Sequence, residues 1–220
     1  MTEDKGDIMK EKFISSIMAG VYIALGAMSY LVIENSLVGA MFFSTGIFLV
    51  FNFYGRLFTR VCPMSIVTKE YGVVDYIIAW VGNGIGAFLV ATIGHFSRFE
   101  GKIAEKLQHV AELKLNDGSL SLFIMGFFCA VFVTYAVLIG KKYKAGSIAQ
   151  IFFVWILITV FVYGGYDHIV ANMYYLSAYS WKFGLNIGAV LHNFFFVTLG
   201  NIVGGLVIGY IERKNFLAQE

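Results

Sequence analysis

The sequence predicts an all-α membrane protein with six transmembrane helices, of which the second and the fifth are broken. Three observations predict this fold class: an apolar composition, charge-free segments of membrane-spanning length, and a polar interruption beside two of those segments. Hydrophobic residues make up 59% of the 220 residues and charged residues 14%, and the mean hydropathy is +0.75. Because a soluble domain carries roughly a quarter of its residues as charged ones, much of this surface is expected to face lipid.

Six segments without Asp, Glu, Lys or Arg have the length of about 20 residues that spans the hydrocarbon core of a bilayer. They recur along the whole chain, so we interpret residues 1–220 as a single transmembrane domain. The predicted spans are Phe13–Ile33, Asn35–Gly55, Tyr76–Ser97, Ser119–Gly140, Ala145–Tyr166 and Phe183–Tyr210.

Positive charge follows alternate connections between the spans, which indicates the orientation in the membrane. We expect both terminal segments, 1–12 and 211–220, to lie in the cytoplasm. The connection 98–117 carries charges of both signs with apolar residues at helical spacing, which is typical of an amphipathic helix on the extracytoplasmic surface. The basic residues that predict the orientation are Lys5, Lys10, Lys12, Lys69, Lys141, Lys142, Lys144, Arg213 and Lys214.

Two polar interruptions stand next to apolar segments, over residues 55–63 and 164–170. In each, a glycine-containing stretch is followed by a short apolar continuation. Non-helical backbone at membrane depth persists only where it is buried in protein or lines a cavity, and broken helices at corresponding positions of two halves indicate a transport site.

An alignment of the chain with itself, shifted by 109 residues, matches the two interruptions. It places Gly55 opposite Gly164 and Thr59 opposite His168, with Phe43 on Phe152 and Ile47 on Ile156. Three spans separate the interruptions, so the two halves must cross the membrane in opposite directions. This predicts two inverted three-helix repeats, with Thr59 and His168 meeting at the centre of the bilayer.

His168 is the candidate functional residue that the residues themselves indicate most directly. A lone histidine beside an apolar run is often a packing residue, but this one follows Asp167 and stands at a predicted helix break. Ionisable residues inside membranes are costly and mostly face a polar path. An imidazole can donate a hydrogen bond to an anion, or a proton when it is charged.

Three motifs, in this order, resemble the formate/nitrite transporter family. They are Gly55-Arg56-Leu57-Phe58-Thr59, then Tyr166-Asp167-His168 with Ala171-Asn172-Met173, and then the run Val197–Gly205 with its Thr-Leu-Gly-Asn core and glycine pair. The resemblance covers nearly the whole chain. It implies an aquaporin-like fold and a homopentamer in a cell or inner membrane, with a pore in each subunit that carries formate, nitrite or hydrosulfide.

Residue by residue, the resemblance implies a pore with a central polar site and two narrow apolar constrictions. The residues implied for the polar site and its surroundings are His168, Thr59, Asp167, Lys114, Asn172 and Asn201. The residues implied for the constrictions are Leu57, Phe161, Phe43 and Ile47. For Asp167 two roles stay open, one holding or charging the imidazole and the other capping the helix that follows.

The chain also departs from the family pattern. Arg56 stands where the family has an acidic residue, and Met125-Gly126 with Cys129-Ala130 replace an Arg-Gly and a Cys-Asn. These departures favour hydrosulfide as the anion, with formate or nitrite as the alternative. A proton-coupled secondary transporter of another small solute is a further alternative. We expect no enzyme, metal site or cofactor, because no nucleophile–base set or metal-ligand spacing occurs, and no nucleic-acid partner, because the formal charge is only +2.

Overall fold

The computed structural model describes residues 5–218, and within them it forms nine helices and no strand. Residues 1–4 and 219–220, which belong to the predicted cytoplasmic termini, lie outside the described residues. The remainder of both predicted termini is helical, because the first helix begins at Lys5 and the last ends at Leu217. The helices are α1 (Lys5–Val32), α2 (Ser36–Asn52), α3 (Phe58–Val67), α4 (Val73–His95), α5 (Phe99–Leu115), α6 (Ser119–Lys142), α7 (Ile148–Tyr163), α8 (Ile169–Phe183) and α9 (Ile187–Leu217).

Four helices, α1, α4, α6 and α9, are long and apolar enough to cross a membrane, which confirms the first, third, fourth and sixth predicted spans. They pack in two pairs, α1 against α4 and α6 against α9. A Cβ on Gly86 would lie 2.1 Å from the Ile17 carbonyl oxygen, and one on Gly200 would lie 2.2 Å from that of Phe123. Both pairs therefore approach so closely that only glycine fits at these positions.

The second and fifth predicted spans coincide with the shorter helices α2 and α7. Each of these is followed, after five non-helical residues (53–57 and 164–168), by a further helix, α3 or α8. The second residue of each interruption has a positive φ, 52° at Tyr54 and 74° at Gly165. Such a φ costs a tyrosine about 1–2 kcal/mol. The C-terminal end predicted for the first interruption, at residue 63, is wrong, because α3 continues through Pro63.

The helix ends and the burial pattern correct the internal alignment by two residues. Both α3 and α8 are preceded by an N-cap residue, Leu57 and His168, and these stand 111 positions apart. At the predicted shift of 109, the buried Phe43 falls on Phe152, whose side chain is 52% exposed. At 111 it falls on Val154, which is fully buried like Phe43. The helix starts and the burial pattern therefore favour a shift of 111 residues over the predicted shift of 109.

The predicted amphipathic segment forms α5, with Ile103, Leu107 and Ala111 as its buried stripe. Leu113, another apolar residue of this segment, does not belong to the buried stripe and is 62% exposed. Lys106 fastens α5 to the end of α1, because its Nζ donates to the carbonyl oxygens of Tyr30 and Ile33 at 2.9 and 2.7 Å. A cation at the C-terminus of a helix compensates for carbonyl groups that have no helical partner.

Candidate functional site

Thr59 and His168 lie in contact at the centre of the candidate site. The Thr59 Oγ1 atom is 2.9 Å from His168 Nε2, and both residues are about 2% exposed. His168 caps α8, because its Nδ1 accepts from the backbone N–H of Ala171 at 3.3 Å. In a neutral imidazole the proton then resides on Nε2, which donates to Thr59. The Thr59 hydroxyl hydrogen thus remains available for another acceptor.

An asparagine from a neighbouring long helix holds each interruption at its junction with the shorter helix. Asn201 of α9 accepts from the Ile169 N–H at 2.9 Å and donates to the Asp167 carbonyl at 2.9 Å. Asn83 of α4 accepts from the Phe58 N–H at 2.8 Å and donates to the Arg56 carbonyl at 3.0 Å.

Asn201 was a predicted site residue, whereas Asn83 was missed. Its signal in the sequence was an amide in the middle of an apolar span, between Gly82 and Gly84. Both asparagines are fully buried, where an amide must find hydrogen-bond partners. They satisfy backbone groups that the helix breaks would otherwise leave unpaired.

Asp167 and Lys114 form an ion pair beside the central histidine. The Lys114 Nζ lies 2.5 Å from Asp167 Oδ1, and Asn172 Nδ2 donates to the same oxygen at 2.9 Å. Neither role left open for Asp167 agrees with these contacts, since its carboxylate binds Lys114 and Asn172 and the N-cap of α8 is His168. The carboxylate sits between two donors, so it is compensated where it lies buried.

The apolar residues predicted for the constrictions are all buried, with Leu57 fully so. Phe43 and Phe161 make an edge-to-face contact with ring centroids 5.7 Å apart, and Phe161 lies 5.9 Å from the His168 ring. Leu57 is the N-cap residue of α3, two positions before Thr59. Ile47 is part of the same apolar core as these residues.

A cavity of about 800 Å³, lined on one side by residues of α5, extends to His168. We call it the outer cavity. Its wall includes Lys114, Asp167 and His168, together with Phe43 and Phe161. The cavity therefore joins an ion pair, an aromatic pair and the imidazole in one open chamber. Met125, which replaces the family's arginine, also lines it.

A second ion network, which sequence reasoning did not predict, adjoins the other interruption. Asp75 Oδ1 accepts from Arg56 at 2.9 Å and from Lys12 at 3.0 Å. Arg56 and Asp167 stand at equivalent positions of the two interruptions, 111 residues apart, and carry opposite charges. The two ends of the site therefore differ in net charge, with one excess cation in the Lys12–Arg56–Asp75 group and none in the Lys114–Asp167 pair.

The apolar helices and the buried polar site define a multi-pass membrane transport protein. The model of the formate/nitrite transporter family matches residues 5–211, and the chain belongs to this family.

Curated relatives and a solved structure agree with this assignment. The chain is 27% identical to the formate channel FocA of Haemophilus influenzae, over 91% of this chain and 85% of that protein. It is 29% identical to the nitrite transporter NirC of Salmonella typhimurium, over 90% and 81%. A pentameric formate channel with formate bound superposes with a TM-score of 0.81 at 22% identity, covering 98% of this chain and 99% of the other.

Proposed function

We propose that this protein is a channel for small monovalent anions, with a pore in each subunit of a homopentamer. Its fold is six transmembrane helices in two inverted three-helix repeats, with α2–α3 and α7–α8 as the two broken spans. The corresponding asparagine contacts of Asn83 and Asn201, and the equivalent helix starts at residues 58 and 169, support the repeat. Both termini are cytoplasmic, on the basic side of the predicted topology, and the membrane is the cell or inner membrane.

The contact between Thr59 and His168 is the observation that carries this proposal. It brings two hydrogen-bonding side chains together where the two interruptions meet, among apolar residues. A dehydrated anion loses several kcal/mol of hydration in an apolar neck, so it needs donors at the narrowest region. The Thr59 hydroxyl can supply one, and the imidazole Nε2–H can supply a second when it turns from Thr59 to the anion.

Protonation offers a second way across the constrictions at Leu57 and at Phe43–Phe161. An anion that gains a proton near His168 becomes a neutral acid, which crosses apolar side chains at little cost. The proton comes from the imidazolium form of His168, which gives it to the anion from Nε2 and later regains one from water in the cavity. The Lys114 ammonium lines the outer cavity, where it can offer an N–H donor to an entering anion. Asp167 binds this ammonium and accepts from Asn172.

Hydrosulfide is the anion that we propose, because hydrogen sulfide is a weak acid with an appreciable neutral population near neutral pH. The departures at Arg56 and at Met125 favour it over formate and nitrite. Formate or nitrite is the second candidate, favoured by the named activities of the formate channel and the nitrite transporter to which the chain is similar.

The deciding experiment compares the flux of hydrosulfide, formate, nitrite and chloride into the same proteoliposomes, with protein-free liposomes as the control. We expect the three weak-acid anions to pass faster than chloride, and hydrosulfide fastest. A flux of formate or nitrite that equals or exceeds the flux of hydrosulfide would favour formate or nitrite as the substrate. No selective anion flux, or accumulation of a solute against its gradient, would contradict a channel and favour a coupled transporter.

A further inference from the structure

Arg60 follows Thr59 directly and is the third residue of α3. In the register set by the helix starts, Arg60 corresponds to Ala171, the third residue of α8. Ala171 lines the outer cavity beside His168. If the repeat is inverted as proposed, Arg60 lies at the equivalent place on the inner side of the pore, where the broken span α2–α3 opens toward the termini.

Three cations near the inner end have carboxylate partners. Arg56 and Lys12 share Asp75, and Lys141 Nζ lies 2.7 Å from Glu70 Oε1. The Arg60 guanidinium, in contrast, has no hydrogen bond or ion pair within residues 5–218, and its Nε is buried. Buried donors in proteins almost always have an acceptor, and the Nε–H of Arg60 lacks one among the described residues.

The positive charge of Arg60 also acts on the Glu70 carboxyl, near the inner end of the site. Burial raises the pKa of the Glu70 carboxyl, but the hydrogen bond and charge of Lys141, with smaller contributions from Thr68 and Arg60, outweigh burial. The pKa of Glu70 is lowered as a result. Because Lys141 already neutralises Glu70, the group formed by Arg60, Glu70 and Lys141 keeps one net positive charge.

We propose that Arg60 is a specificity-determining residue that binds the permeating anion on the cytoplasmic side of the Thr59–His168 pair. Its guanidinium presents several N–H donors and a fixed positive charge to a small anion, to hydrosulfide as well as to formate. The proposal rests on the anion-channel function and adds an asymmetry to it, with tighter binding from the cytoplasmic side than from the outer cavity.

The test measures formate flux into vesicles that have been sorted by orientation, so that the cytoplasmic and the outer side are loaded separately. Arg60→Gln should raise the half-saturating formate concentration on the cytoplasmic side by about three- to tenfold at low salt, an order-of-magnitude expectation for one charge near a partly desolvated site. The outer side should change less than twofold. Arg60→Lys should stay close to the wild type, and raising the ionic strength should shrink the difference.

Two further variants keep the test decisive. Lys142→Gln removes an exposed cation at the same membrane face and should leave both half-saturating concentrations unchanged. Glu70→Gln adds one net positive charge beside Arg60 and should lower the cytoplasmic value, which supplies the answer if Arg60→Gln fails to assemble. Unchanged cytoplasmic values in Arg60→Gln or Glu70→Gln, with normal wild-type flux, would overturn the role of Arg60 alone. Absence of wild-type flux would overturn the channel function itself.

Discussion

Replacing His168 separates the hydrogen-bonding role of the imidazole from its proton chemistry. In His168→Phe both polar contacts are lost, so the Thr59 hydroxyl and the Ala171 N–H are left without the ring nitrogens that now bind them. In His168→Asn the amide can still cap α8, since asparagine is among the preferred N-cap residues. It also keeps an N–H donor near Thr59, but it does not titrate.

The size of the effect follows from the donor that is removed. A hydrogen bond to a charged group contributes about 1.5–3 kcal/mol net, and about 1.4 kcal/mol corresponds to a factor of ten. Anion flux through His168→Phe should therefore fall by roughly ten- to a hundredfold. Loss of the N-cap costs the fold about 0.5–2 kcal/mol more, which is small enough for the protein to assemble in detergent.

The assay is anion flux between about pH 5.5 and 8 in one liposome preparation, expressed as the ratio of variant to wild type at each pH. The ratio removes the pH dependence that comes from protonation of the anion in bulk water. For His168→Asn the ratio should fall as the pH is lowered, because the protonated ring of the wild type then becomes more populated, whereas an asparagine at this position cannot take up a proton. His192→Asn, in which the lost histidine contacts Ser119 instead, is the matched control and should give a constant ratio.

Two results would refute this reasoning. A constant ratio across the pH range for His168→Asn would remove the imidazole from proton transfer. Flux through His168→Phe within twofold of the wild type, with normal assembly, would remove its donor role as well. His168 would then be a packing residue whose contact with Thr59 serves only to join the two interruptions.

Three further predictions concern the constriction at Leu57, the hydrogen bonds of Asn201 and the contact of Lys106 with α1. Leu57→Ala, at a fully buried position, should widen the apolar constriction and raise the flux ratio of propionate to formate several-fold. Leu120→Ala, on the exposed surface, should leave this ratio unchanged. Asn201→Ala removes three buried hydrogen bonds, each costing about 1–3 kcal/mol when a partner is left unpaired, so the protein should lose its assembly in size-exclusion chromatography. Lys106→Met should lower the thermal midpoint in detergent by several degrees, corresponding to about 1–3 kcal/mol; an equal loss in the exposed Lys102→Met would contradict an anchoring role.

Much of the fold could be predicted from the sequence because membrane spans follow from composition over consecutive residues. Hydropathy and length located α1, α4, α6 and α9, since a lipid-facing helix must be apolar along its whole length. Local signals also located the start of each non-helical stretch to within two residues, but not the end of the first one. The meeting of Thr59 and His168 was predicted from the inverted topology and is observed at 2.9 Å.

The tertiary structure decided what depends on side chains far apart in the chain. The register of the repeat became evident only from burial, because Phe152 faces outward where its assumed counterpart Phe43 faces inward. The hydrogen bonds of Asn83 and the ion pairs of Asp75 each join residues that are distant in the chain. The amide of Asn83 stands out within an apolar span, but no local pattern reports which distant carbonyl or guanidinium will reach Asn83 or Asp75.

Sequence by itself determined which segments prefer lipid, where polar residues interrupt them, and which motif residues resemble a known family. These are properties of one residue type at one position, or of neighbours along a helix. Only the tertiary structure decided that His168 caps α8 while Asp167 binds Lys114, and that the Arg60 guanidinium has no hydrogen-bond partner among residues 5–218. The physical reason is that pairing depends on the direction and distance of groups from different helices, which packing of the whole chain sets.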